Sequence, residues 1–105
     1  MLISKGVAQP EQLAAEIAGV ERMLGGDVVR LRYAVRLNWS EEPAIYFKIL
    51  LSDHASGRDR LHEVTSHVKA VIQERLDPLN SWDLVPYYNF RSETEQDMMK
   101  ELAWA

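Results

Sequence analysis

The sequence predicts an α+β domain: a small antiparallel sheet built on a long β-hairpin, helices packed on one of its faces, in the order α-β-β-α-(β)-α. Three observations carry this. Val29, Leu31, Tyr33, Val35, Leu37 and Trp39 alternate with Arg30, Arg32, Ala34, Arg36 and Asn38, the period of a half-buried strand. A second run puts Ile45, Phe47, Ile49 and Leu51 on one face. On either side of these strands, apolar residues recur at helical spacing.

Residues 1–9 show no periodicity and read as an arm or a short edge strand. Pro10 suits the first helical position, where its missing N–H costs nothing. Leu13, Ile17, Val20 and Leu24 give the first helix an apolar stripe, and Gly25-Gly26 ends it. This places the helix over residues 10–24.

The two inward sets of the hairpin are both odd-numbered. They share a face only if the loop holds an odd number of residues. A loop over residues 39–43 meets that condition and pairs Leu37 with Ile45, Val35 with Phe47, Tyr33 with Ile49 and Leu31 with Leu51. The even-numbered face then collects Arg30, Arg32, Arg36, Tyr46, Lys48 and Leu50.

Ser56 and Asp59 have the spacing of a capping box for a second helix over residues 58–76. Leu61, Val64, Val68, Val71, Ile72 and Leu76 form its stripe, and Pro78 stops it. Residues 83–91 alternate again, but Pro86 lacks an N–H and confines the segment to a sheet edge or an irregular path. Ser92 with Glu95 caps a short last helix containing Met98, Met99 and Leu102.

The chain has 105 residues, enough for one domain over 1–105, and its 47% hydrophobic content is ample for a core. No apolar run reaches the roughly 20 residues that span a bilayer. The opening Met-Leu-Ile-Ser-Lys-Gly is too short and polar for a signal peptide. Cysteine is absent, which removes disulfides, thiolate metal sites and thiol nucleophiles. The expected location is the cytoplasm.

No motif calls for a cofactor, a metal or a catalytic set. His62 and His67 stand five residues apart, so on a helix their rings diverge by roughly 140°, whereas a zinc-protease pair stands at i and i+4. Asp53, His54, Asp59 and His62 cluster between the second strand and the second helix. An Asp–His pair there could supply a general base, the basis of a reading as a small enzyme or ligand-binding protein.

Two surfaces carry more information. Arg30, Arg32, Arg36 and Lys48 with Tyr46 and Leu50 form a basic, amphipathic face, suited to a subunit interface or to single-stranded nucleic acid. The net charge of −4 counts against the second use. Pro86-Tyr-Tyr-Asn-Phe-Arg91 has the composition of an interface hot spot, with Tyr87 and Arg91 facing outward. The expectation is therefore a non-enzymatic protein acting by association, most simply as a homodimer or with a protein partner. A nucleic-acid-binding or regulatory module is the alternative.

Overall fold

The structure, a computed structural model, describes residues 4–105. The fold is α+β with a mixed three-stranded sheet. Ser4 caps a single turn, α1 (Lys5–Ala8), by accepting from the Val7 N–H. This lies in the stretch expected to be an arm. One turn is too short to leave a periodic signal. α2 (Pro10–Met23) follows with Pro10 in its first turn, and Gly25 beyond its end takes the left-handed φ of 74°.

Strand β1 (Val28–Leu37) pairs antiparallel with β2 (Pro43–Leu51). The turn holds residues 38–42, not 39–43, so Val35 opposes Ile45 and Tyr33 opposes Phe47. The cause is Asn38. Its main-chain N–H bonds Glu42 O, and its Oδ1 accepts from the N–H groups of Ser40 and Glu42. An Asx-type turn of this kind closes the hairpin one residue early. The shift keeps parity, so both odd-numbered sets still face one side. At the other end a bulge between Val28 and Arg30 breaks the alternation: Val28 is 8% exposed and Val29, expected inside, is 44% exposed.

Helix α3 (Leu61–Arg75) carries the chain back along the sheet. The expected Ser56–Asp59 box does not form. Ser56 Oγ instead donates to Ser52 O, and the helix starts at Arg60, whose guanidinium makes two bonds to Asp27. Pro78 ends α3 and also opens a five-residue helix, α4 (Pro78–Trp82). Strand β3 (Val85–Ser92) then pairs parallel with β2, with Phe47 beside Tyr88 and Ile49 beside Phe90. A crossover through a helix returns the chain to the same end of the sheet, so a parallel partner results where an all-antiparallel sheet was expected. The Ser92–Glu95 capping box forms in both halves and starts α5 (Glu93–Met99), followed by a 3₁₀ turn (Leu102–Trp104).

The core lies between the odd-numbered sheet face and helices α2 and α3. Ile45, Phe47 and Ile49 are fully buried against Leu13, Ile17, Val68 and Ile72. Phe47 stacks on Tyr88 with ring centroids 5.5 Å apart. The even-numbered face is not bare. Arg30 and Arg91 flank Leu50 across the strands; Arg30 donates to Trp104 O at 3.3 Å, and Arg91 lies 4.4 Å over the Trp104 ring. The C-terminal turn thus sits over Leu50, which is 5% exposed.

Candidate protein-association site

In an antiparallel pair the N–H and C=O of one residue point to the same side, and successive residues alternate. The Asn38 N–H points into the hairpin, to Glu42 O, while the Leu31 N–H points out and is taken by Glu21 Oε2 at 2.7 Å. The backbone N–H and C=O groups of the odd-numbered β1 residues therefore point away from β2, toward the edge of the sheet, while their side chains keep to the core face. Glu21, on α2, closes this edge at Leu31. Beyond it, among the described residues, the N–H groups of Tyr33, Val35 and Leu37 have no hydrogen-bond partner.

A cleft of about 600 Å³ runs beside this open edge. Gly6, Val7, Pro10 and Leu13 form one wall, and Tyr33–Leu37, Arg36 among them, with Pro43 form the other. The walls are mainly apolar and partly uncovered: Val7 and Leu37 are exposed, and Trp39, two residues beyond Leu37, is 91% exposed. Large exposed apolar side chains gathered at one place mark interaction surfaces more often than isolated ones do.

The structure puts the sequence-predicted residues on one face but gives most of them internal tasks. Arg36 lies 4.3 Å over the Tyr46 ring, and Tyr46 stacks on Tyr87 at 4.9 Å with an interplanar angle of 11°. The Tyr87 hydroxyl accepts from Asn38 Nδ2 at 3.1 Å. A clasp from β1 through β2 to β3 results, and both faces of the Tyr46 ring are occupied. Arg30 and Arg32 donate to the carbonyls of Trp104 and Ala105, and Arg91 bonds Gln96 and Glu101. Lys48 stands between Arg32 and Asn89. No acidic side chain makes a salt bridge with Arg32, Arg36 or Lys48 among the described residues.

A second cleft, also about 600 Å³, lies between α3 and β3, lined by His62, Thr65, Lys69, Tyr88, Phe90 and Glu95 among others. His62 is brought here; Asp53 is not brought to a histidine. Its carboxylate accepts from the Thr94 N–H and hydroxyl at 3.0 and 2.8 Å, tying α5 to the end of β2. Burial pushes the Tyr88 hydroxyl above the usual tyrosine range. Among the described residues no nucleophile is hydrogen-bonded to a base in this cleft, and no three histidine or acidic residues form a metal-sized cluster.

The sequence reading missed Tyr33, Val35 and Leu37 as edge groups and Val7 and Pro10 as the facing wall. Leu37 and Trp39 did carry a signal: two large apolar residues continue the alternation of β1 to its tip, and both are exposed. Among the described residues no helix is long and apolar enough to cross a membrane. Comparison with protein-family models, with curated proteins and with solved structures returned no match.

Proposed function

We propose that this protein acts by association: the open edge of β1 takes up an extended segment of another chain as a fourth strand. The observation that supports this is the run of outward N–H groups at Tyr33, Val35 and Leu37 beside an apolar cleft. Strand addition draws affinity from main-chain hydrogen bonds and specificity from pockets for alternate side chains, and both are present at this edge. Native sheets usually blunt such an edge with charge, a bulge or a covering element. Here the bulge and Glu21 blunt only the half near Leu31.

Val35→Pro tests it. The Val35 N–H faces away from β2, so proline removes a donor needed only by an incoming strand, and edge strands tolerate proline. A displayed library of extended peptides should yield ligands that bind wild type, slow amide exchange at Tyr33, Val35 and Leu37, and fail on Val35→Pro. Ligands that bind both forms equally, or protect a different segment, overturn the proposal. The same exchange measurement, run across protein concentrations, reads out pairing between two copies.

A second reading, a nucleic-acid-binding module, is favoured by Arg32, Arg36 and Lys48 lacking acidic side-chain partners among the described residues. The Arg36–Tyr46–Tyr87 stack leaves only the outer face of Tyr87 for a base, whereas single-strand platforms stack several bases. Salt-dependent retention on immobilised single-stranded DNA would raise this reading above the first.

A further inference from the structure

We infer that the segment taken up at β1 alternates apolar and acidic residues, apolar-acidic-apolar-acidic-apolar, and is not a second copy of β1. This rests on the proposed strand addition and adds the chemistry of the occupant. The register follows from the directions already established. Residues of an added strand that oppose Tyr33, Val35 and Leu37 share hydrogen bonds with them and project their side chains to the same face. That face holds the cleft walled by Val7, Pro10 and Leu13. Residues opposing Ala34 and Arg36 project to the other face, where the exposed cations Arg32, with Nε on Ala105 O, and Arg36, over the Tyr46 ring, have no acidic side-chain partner among the described residues.

A carboxylate opposite Arg36 meets it directly. One opposite Ala34 is diagonal to both Arg32 and Arg36, within reach of long side chains. Glu21 occupies the next outward position, at Leu31, so the window ends there and a third acid would face like charge. The same charges act against self-pairing. In an antiparallel β1–β1 pair centred on Val35, the Arg36 of each copy is diagonal to both Arg32 and Arg36 of the other, and no acid intervenes. Arg32 and Arg36 thus guard the edge against a second copy while matching an acidic strand.

The test uses three fluorescent five-residue peptides: Val-Glu-Val-Glu-Val, Val-Thr-Val-Thr-Val and Val-Lys-Val-Lys-Val. Anisotropy titration of the full chain should place the glutamate peptide about tenfold tighter than the threonine one, the size two or three exposed charge pairs supply, and the lysine peptide weakest. Arg36→Glu should reverse the order of the glutamate and lysine peptides. The preference should shrink between about 50 mM and about 300 mM salt, as exposed pairs are screened. Thermal melting confirms that each variant is folded. Equal binding of the glutamate and threonine peptides, lost in Val35→Pro, would leave strand addition standing and sink the acidic preference. No binding by any peptide, with no effect of Val35→Pro, would sink both. A dimer whose interface protects the Val35 amide would show that a second copy is the occupant and overturn the inference.

Discussion

Truncating Phe47 to alanine is the most direct check on which face of the sheet is inside. Phe47 sits at the middle of the central strand with no exposed surface, opposite Tyr33 on one side and Tyr88 on the other. Its ring lies parallel to that of Tyr88 within 15°. An aromatic residue of this kind buries on the order of 150 Å² or more. At about 25 cal/mol per Å² its removal forfeits about 4 kcal/mol, in line with the 3–5 kcal/mol typical of buried phenylalanine truncations. The neighbours that would have to fill the space, the stacked Tyr88 ring and the core side chains of α2 and α3, are themselves packed, which limits collapse. For a domain of this size the midpoint of thermal unfolding should fall by about 12 °C or more. Denaturant titration should show the loss with an unchanged slope. Trp39→Ala is the matched control: at 91% exposure it should change stability by less than about 0.5 kcal/mol. A loss below about 1 kcal/mol for Phe47→Ala would mean that the odd-numbered face is not the core.

Three further outcomes are expected. Gly6→Ala should cost about 1–3 kcal/mol, because a methyl there overlaps Leu84 Cδ1 and Leu84 is itself fully buried; an unchanged melting midpoint would show that α1 is not packed on it. Asn38→Ala should destabilise by about 1–3 kcal/mol through loss of the acceptor for two N–H groups, with Asn38→Asp recovering part of it; equal effects of both would refute the turn assignment. Burial raises the Tyr88 hydroxyl above its ordinary value near pH 10, so the folded state favours the neutral form. That contribution is present below the unfolded value and is lost as pH rises through the folded one, so stability should fall above about pH 10 and fall less in Tyr88→Phe. Parallel alkaline profiles of the two proteins would contradict it.

Long periodic elements were legible because burial on one side imprints a period. α2, α3 and both hairpin strands show it, and the odd-numbered face was readable for the same reason. Features decided by single atoms were not. Asn38 shortens the hairpin through its side-chain oxygen, and no hydropathy pattern reports that. Val28 and Val29 are chemically identical, so the bulge that exchanges them leaves no trace. The parallel direction of β3 was within reach: α3 between β2 and β3 is the connection a parallel pair requires. The cover over Leu50 also left a mark, since Trp104 is a large ring in a segment otherwise polar or exposed.

The binding candidates were harder, because a basic sheet face reads the same whether it is free or occupied. Arg30, Arg32 and Arg91 hold the C-terminal turn, and Arg36 closes the tyrosine clasp. These contacts leave Arg32 and Arg36 without an acidic side chain among the described residues, so their charge still stands beside the edge of β1, where the N–H groups of Tyr33, Val35 and Leu37 have no partner among those residues. The N–H groups of Leu31 and Tyr33 both point to the open edge of one strand, and only the first meets a carboxylate from α2. The boundary between a closed and an open edge is therefore set by Glu21. Glu21→Gln keeps an acceptor for the Leu31 N–H, whereas Glu21→Ala removes it and lengthens the open edge by two residues. If strand addition is the activity, Glu21→Ala should protect the Leu31 amide along with Tyr33, Val35 and Leu37 when a peptide binds, and a peptide two residues longer should gain affinity. Should the longer peptide gain nothing, the edge is not where the added chain lies.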